Sequence, residues 1–217
     1  MSKLQAFYFQ DFKNSFLPHI LKEVYLDRIY DQYTHGKKDL TIVDLGSNIG
    51  ITNFYFKDYA KRLIAVEPSK DHIETLKAMH AQNDMNNVEI YPYAISSKNG
   101  TETFYHNSNT TMFSLRGEVN NQGISEKVET KTLYQLMDDL KIKHIDILKM
   151  DIEGSEYDLI VSDGFAKVKD KIDLILGEFH TWSGVNPQQF ATCFMDYGYE
   201  FKWMNATAAS TFVAKRK

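Results

Sequence analysis

The segment of residues 40–50 reads LTIVDLGSNIG and contains two patterns in succession. Residues 40–45 form an apolar run interrupted by one carboxylate, Asp44, which is typical of a strand buried inside a sheet. Residues 46–50 then place a glycine at each end of a short polar turn, where the missing Cβ lets backbone N–H groups approach a ligand. The segment therefore predicts a strand, a tight turn and a helix beginning near Ile51.

The same alternation of strand and helix continues along the chain. Further strands are predicted over residues 63–67, 88–95, 145–151 and 172–176, and helices over 17–33, 51–60, around 73–79, from near 154 and from 186. This order predicts an α/β fold with a doubly wound, mostly parallel sheet and helices on both faces. Residues 199–204 and 211–214 are predicted to add an antiparallel C-terminal edge hairpin. Residues 96–131 break the alternation and are interpreted as an inserted hairpin with a long loop.

Composition excludes several classes of protein. The 217 residues fit one domain, and their formal net charge of −4 argues against a protein that mainly coats nucleic-acid backbones. The single cysteine, Cys193, excludes an internal disulfide and an all-thiolate metal site. No apolar run approaches the roughly 18 residues of a membrane span, and the first residues lack the pattern of a signal peptide. A cytoplasmic protein that does not act on membranes is therefore expected.

A carboxylate follows the second predicted strand. Glu67 stands about 20 positions beyond the glycine turn, where an acidic residue in an α/β sheet can accept hydrogen bonds from both ribose hydroxyls of a nucleotide. The turn itself does not have the Gly-x-Gly-x-x-Gly spacing of dinucleotide-binding proteins, and no Gly-Lys-Ser/Thr of a P-loop follows. The pair of signals indicates a nucleoside-containing ligand of another kind.

The fourth predicted parallel strand leads into the sequence LKMDIEGSE, residues 148–156. Lys149 and Asp151 share one face of the strand, and a lysine buried in such a strand requires a carboxylate partner. Asp151, at the carboxyl end of the strand, is expected to point into the ligand crevice. Glu153 and Glu156 are expected to begin the next helix, where negative charge suits the helix dipole.

The fifth predicted strand ends in GEFH, residues 177–180, beside the fourth strand. Glu178, His180 and Asp151 are therefore candidates to face one crevice, and carboxylates and histidine are the usual general bases. The histidines show no metal-ligand spacing, so no metal site is assigned. A divalent ion held by Asp151, Glu153 and Glu178 stays open as an alternative, because Mg²⁺ prefers oxygen ligands.

Three motifs together resemble those of the FkbM-type methyltransferases, which belong to the class I group that depends on S-adenosylmethionine. They are VDLGSNIG (residues 43–50), AVEP (65–68) and KMDIEGSE (149–156), in the family's order and spacing. The resemblance covers about residues 40–179, and the Lys-x-Asp-x-Glu-Gly element is its most specific part. Asn48 stands where many class I enzymes have a third glycine. The resemblance implies a methyltransferase domain over residues 39–217, preceded by an N-terminal helical cap over residues 1–38.

The resemblance also implies roles for individual residues. The turn would hold the methionine part of S-adenosylmethionine, Glu67 the ribose, and Ala94 and Ile95 would border the adenine. Asp151 would reach the reaction centre or the amino group of the cofactor. The full set of expected cofactor-binding residues is Asp44, Gly46, Ser47, Asn48, Gly50, Glu67, Ala94, Ile95 and Asp151, and the expected catalytic residues are Asp151, Glu178 and His180.

The resulting functional hypothesis is O-methylation of a hydroxyl on a small molecule, sugar or natural product. An oxidoreductase that binds a nucleotide or dinucleotide, a non-catalytic cofactor-binding module, and an RNA or protein methyltransferase remain alternatives. Nucleic acid and membranes are not expected as partners. Because the cofactor fold occupies most of the chain, the acceptor pocket is expected to come from the N-terminal segment, the 96–131 insert or a second copy in a homodimer. Tyr105 and Phe113 in that insert are expected to lie over the acceptor.

Overall fold

The computed structural model describes residues 17–106, 113–115, 124–204 and 209–217. The strands of its central sheet are β1 (Leu40–Leu45), β2 (Ala60–Val66), β3 (Val88–Tyr91), β8 (Ile145–Met150), β9 (Ile172–His180), β10 (Tyr199–Trp203) and β11 (Ala209–Arg216). Their order across the sheet is β3-β2-β1-β8-β9-β11-β10. The first five in this order are parallel, whereas β11 runs antiparallel to β9 and to β10. The predicted α/β fold with an antiparallel C-terminal edge is confirmed.

A second, four-stranded sheet is built mostly from the segment after β3. Its strands are β4 (Ala94–Ile95), β5 (Gly100–His106), β6 (Phe113–Ser114) and β7 (Ile124–Lys131), in the order β4-β7-β5-β6. The prediction of one strand over residues 88–95 is wrong, because Pro92 has no N–H for a sheet ladder and the chain leaves the central sheet there. Strands β5 and β7 form the antiparallel pair of a hairpin. The rest of the long loop and the side chain of Phe113 lie outside the described residues.

Helices cover both faces of the central sheet. They are α1 (Leu17–Leu21), a π-helical turn (Lys22–Leu26), α2 (Asp31–Thr34), α3 (Ile51–Phe56), α4 (Lys70–Gln82), α5 (Leu133–Asp139), α6 (Glu156–Ile160), α7 (Asp163–Ala166) and α8 (Pro187–Asp196). One core joins the sheet to α5–α8, and the other joins it to α3, α4 and the N-terminal segment. Helix α8 begins as predicted, with the Asn186 side chain accepting a hydrogen bond from Gln188 N at 2.8 Å. No helix in the described parts combines the length and the apolar character needed to cross a membrane.

The N-terminal segment differs from its prediction. The apolar stripe over residues 17–33 predicts one continuous helix, but Arg28 has a φ of 55°, which no right-handed helix accommodates. The chain turns there, so that Val24 and Tyr30 both become buried against the sheet. Residues 1–16 of the expected N-terminal cap lie outside the described residues. The broken path brings the described part of this segment over the carboxyl ends of the parallel strands, where it contributes to the site described below.

Candidate functional site

The parallel strands end level with one another. The register aligns Leu45 of β1 with Val66 of β2 and with Met150 of β8, and Met150 in turn with Gly177 of β9. The residues that follow these four aligned positions are Gly46, Glu67, Asp151 and Glu178, in the same order. Residues from four separate motifs consequently meet at one edge of the sheet, which is where α/β sheets bind ligands.

The turn after β1 brings the backbone close to two neighbours. Gly46 has a φ of 75°, and a Cβ placed on it would lie 1.8 Å from the carbonyl oxygen of Asp151. Gly46 N and Ser47 N both donate to Val66 O, at 3.0 and 3.1 Å. Asn48 also has positive φ, a conformation that asparagine adopts more readily than most residues. The turn therefore tolerates asparagine in place of a third glycine.

Glu67 is buried and held by the same turn. Its Oε2 accepts a hydrogen bond from Asn48 N at 2.9 Å, and its Oε1 accepts one from Ser69 N at 2.9 Å. The buried ring of His72 lies beside it, with Nδ1 3.5 Å from Glu67 Oε1. His72 carries no motif in the sequence, and only its position in the first turn of the helix after Glu67-Pro68 could have indicated it.

A cleft joins these elements. Its lining includes six of the expected cofactor residues, namely Gly46, Asn48, Glu67, Ala94, Ile95 and Asp151. Apolar side chains from the second sheet, Phe104 and Leu115, also line it. Asp44, Ser47 and Gly50 do not line this cleft: Asp44 is fully buried beneath the turn, Ser47 faces a neighbouring crevice, and Gly50 packs against α4.

A buried ion pair supports the turn from below. The Asp44 carboxylate accepts hydrogen bonds from Thr52 Oγ1 and Asn53 Nδ2, both at 2.6 Å. Lys149 Nζ lies 3.3 Å from Asp44 Oδ1 and 3.5 Å from Asp151 Oδ2, and it donates to Gly46 O at 3.0 Å. Burial alone would lower the pKa of Lys149, but the charges of Asp44 and Asp151 outweigh it and raise the pKa. The expected carboxylate partners of Lys149 are therefore present, and the lysine connects the turn to Asp151.

His180 lies among carboxylates. Its Nδ1 is 2.9 Å from Glu156 Oε1, and its Nε2 lies 3.4 Å from Glu153 Oε2 and 3.8 Å from Asp151 Oδ1. Burial alone would lower the pKa of the ring, but these partners reverse the effect and raise the pKa to about 10. His180 is therefore a cation at neutral pH.

Glu156 has a different role from the one expected of a charge at a helix start. Its side chain is fully buried, and its Oε1 accepts from Ile152 N at 3.2 Å and from Gly154 N at 3.0 Å as well as contacting His180. Glu156 thus fixes both the loop after Asp151 and the ring of His180. The motif contains the residue, but the contact depends on β9 lying beside the loop.

Ionisation of the Glu153 side chain is less favourable in the folded protein than in the unfolded chain. Burial and the charge of Asp151 raise its pKa to about 8 despite His180, while Glu156 adds repulsion and Lys149 attraction. An acid whose pKa is higher in the folded state stabilises the fold below its unfolded pKa and loses that contribution as pH rises through the folded pKa. We therefore expect Glu153→Gln to raise Tm at pH 9 by about 2–4 °C and to change it little at pH 5.

Thermal unfolding at the two pH values measures this effect. Glu74→Gln is the matched control, because Glu74 is exposed on α4 and pairs with Lys77 at the surface. An equal shift of Tm at pH 5 and pH 9 for Glu153→Gln would contradict the assigned electrostatics.

Comparison with known proteins places this site in a family. The methyltransferase FkbM domain matches residues 44–201. A curated relative, Methyltransferase 1 of Beauveria bassiana, is 25% identical over 162 residues, which are 65% of this chain and 65% of the relative's own length. The solved FkbM methyltransferase of Methylobacillus flagellatus has a TM-score of 0.55 at 14% identity, and the match covers 82% of this chain and 43% of that one.

A Streptococcus mutans protein solved in complex with SAH (S-adenosylhomocysteine) has a TM-score of 0.55 at 7% identity, covering 89% of this chain and 97% of that one. These structural likenesses confirm the class I methyltransferase fold. The domain match, which extends over more than half of the sequence and includes the glycine turn, Glu67 and the Asp151 loop, shows that the chain belongs to the FkbM methyltransferase family.

Proposed function

We propose that this protein transfers the methyl group of S-adenosylmethionine to a hydroxyl oxygen of a small molecule. The observation that carries the proposal is the cleft that joins the glycine turn, Glu67, Ala94, Ile95 and Asp151 at one sheet edge. S-adenosylmethionine is the methyl donor of this family, and its sulfonium supplies an activated methyl group.

The residues of the cleft fit the parts of that donor. Glu67 presents a carboxylate, which suits ribose hydroxyls, beside the apolar wall of Ile95, Phe104 and Leu115, which suits an adenine ring. At the other end, Asp151 has a buried oxygen, Oδ1, with no hydrogen-bond partner among the described residues. An unsatisfied carboxylate oxygen suits the positively charged methionine end or the proton of an acceptor hydroxyl.

Within this proposal Asp151 is the general base. It is the one predicted catalytic residue that lines both the cofactor cleft and the neighbouring crevice among the described residues. His180 is protonated at neutral pH and has no lone pair to accept a proton. We therefore assign His180 a positioning role for Asp151 and Glu153, rather than the role of base.

The donor is tested first, by calorimetric titration with S-adenosylmethionine, SAH and NAD. Binding of the first two and not of NAD supports the proposal, whereas binding of NAD alone would replace it with the oxidoreductase alternative. Release of SAH in the presence of hydroxyl compounds then reports transfer.

Glu67→Gln is expected to weaken binding of S-adenosylmethionine by about 10- to 100-fold, because it replaces a charged hydrogen-bond acceptor with a neutral one. The amide oxygen of Gln still accepts one backbone hydrogen bond, so the loop is expected to keep its path. Glu89→Gln is the control, since Glu89 forms a partly exposed pair with Arg62 on the next strand. Equal affinities of the two variants for S-adenosylmethionine would show that Glu67 does not bind the donor.

A further inference from the structure

A second space adjoins the cofactor cleft beneath the N-terminal segment. It consists of two neighbouring crevices, which share the lining residues Ile29, Tyr30, Lys149 and Glu178. One of them also shares Gly46, Asn48 and Asp151 with the cofactor cleft. We call this space the acceptor crevice, because a molecule in it would meet the cofactor at Asp151.

The acceptor crevice has an excess of negative charge. The charged residues in its lining are Glu23, Lys149, Asp151 and Glu178. Lys149 donates a hydrogen bond to Gly46 O, and its Nζ lies 3.3 Å from Asp44 Oδ1 and 3.5 Å from Asp151 Oδ2. Lys149 therefore compensates the charges of the buried Asp44 and the half-buried Asp151, and among the described residues it forms no ion pair with Glu23 or Glu178.

Glu178 is the group that lacks a partner. Its side chain is half-buried and lines both crevices, yet its carboxylate makes no hydrogen bond or ion pair with any residue that the structure describes. Ligand-type oxygens of Glu178 and Asp151 lie within 4.8 Å of one another. The charge of Asp151, followed by burial, raises the pKa of Glu178 to about 8. A positive group between the two carboxylates would remove this repulsion and satisfy both.

The walls favour an organic cation over a metal ion. Ile20, Ile29 and Tyr30 line the crevice, and such surfaces suit the hydrocarbon part of an amine. His180 would complete a metal-binding group with Asp151 and Glu178; its Nδ1 pairs with Glu156 Oε1, and its Nε2 lies 3.4 Å from Glu153 Oε2 and 3.8 Å from Asp151 Oδ1. The apolar side chains of Ile20 and Ile29, which offer no ligand atoms to a metal ion, are therefore what favours the organic cation.

Resting on the proposed methyl transfer, we propose that the acceptor carries a protonated amine besides its hydroxyl, and that Glu178 binds this ammonium group. Glu23, on the N-terminal segment, adds negative charge on the other wall of the crevice, and Tyr30 packs against the carbon skeleton. Asp151 remains at the junction with the cofactor cleft, where it takes the hydroxyl proton. Amino sugars and phenolic or aliphatic amino alcohols belong to this class of acceptor.

Two charge series test the proposal on the full chain loaded with SAH. The first series is glucosamine, glucose and glucuronate, and the second is tyramine, tyrosol and para-hydroxyphenylacetate. Within each series the carbon skeleton is kept while the charge changes from positive through neutral to negative. Calorimetry is expected to show that the cationic member of at least one series binds about tenfold or more tightly than its neutral member. Equal binding, absent binding, or preference for the neutral or anionic members in both series would overturn the proposal.

Glu178→Gln connects that preference to the residue. The variant is expected to lose the tenfold preference for the cationic member while its affinity for SAH stays within about twofold. Glu200→Gln is the control, because Glu200 is exposed on edge strand β10 and lines none of these spaces. A preference for the cationic member that survives in Glu178→Gln would overturn the proposal. So would a preference that disappears from the wild-type protein when a chelator removes divalent ions, because that outcome would indicate a bound metal.

The proposed function and this inference fail in different ways. If SAH binds and neutral acceptors are methylated as well as cationic ones, methyl transfer stands and the assigned acceptor class is wrong. If neither S-adenosylmethionine nor SAH binds the wild-type chain, the proposed function itself is wrong.

Discussion

Asp151→Asn is expected to lower kcat about 100- to 10,000-fold, the usual contribution of a general base. The amide has nearly the same shape as the carboxylate but cannot accept the hydroxyl proton. Asp151 N still donates to Leu45 O at 3.1 Å, so the loop retains its attachment to β1. The measurement is SAH formation at saturating donor, with the preferred member of the two charge series as acceptor, together with calorimetric binding of S-adenosylmethionine.

The two readouts separate the roles open to Asp151. A large loss of kcat with donor affinity within about tenfold of wild type supports the base. Weaker donor binding with an unchanged kcat at saturation would instead assign Asp151 to the amino group of the donor. If both quantities survive, Asp151 has neither role. Asp196→Asn, an exposed carboxylate at the end of α8, is expected to leave both quantities unchanged.

The strand, turn and helix around the glycine turn could be predicted, because each forms from residues that are close together in the sequence. The apolar run of residues 40–45 forms β1 with the predicted bounds, and the parallel alternation then places the end of each strand at one edge. Glu67 and Asp151 were therefore predictable neighbours, since each follows directly on a strand of known direction. The same reasoning predicted that β9 lies beside β8, and with it the proximity of Glu178 to Asp151.

The contacts that required the structure depend on residues distant in sequence. Glu156 has the sequence position of an ordinary helix-start charge, and only the path of β9 places His180 Nδ1 2.9 Å from it. The raised pKa of His180, on which its proposed positioning role rests, follows from that contact and not from its motif. The turn at Arg28 likewise overrides a helical stripe, because burial of Val24 and Tyr30 on the sheet outweighs the propensity for a continuous helix.

Lys149→Met is expected to lower the free energy of unfolding by about 3–5 kcal/mol, the usual cost of leaving one buried charge without its partner. Methionine fills a similar volume, so the loss comes from the charge on Asp44, which is fully buried, and from Gly46 O, which loses its donor. Denaturant unfolding measures the change. Lys202→Met, on the exposed side of edge strand β10, is the matched control and is expected to change stability by less than about 0.5 kcal/mol.

The double variant Asp44→Asn/Lys149→Met distinguishes an unpaired charge from lost packing. If the uncompensated carboxylate is the cause, neutralising it is expected to recover at least about 1 kcal/mol relative to Lys149→Met alone, because the amide oxygen introduced at position 44 can still accept hydrogen bonds from Thr52 and Asn53. A double variant no more stable than the single one would show that Lys149 acts by packing or through Gly46. Because this pair holds the turn against Asp151, recovered stability without recovered donor binding would further show that the lysine orients the turn for its ligand.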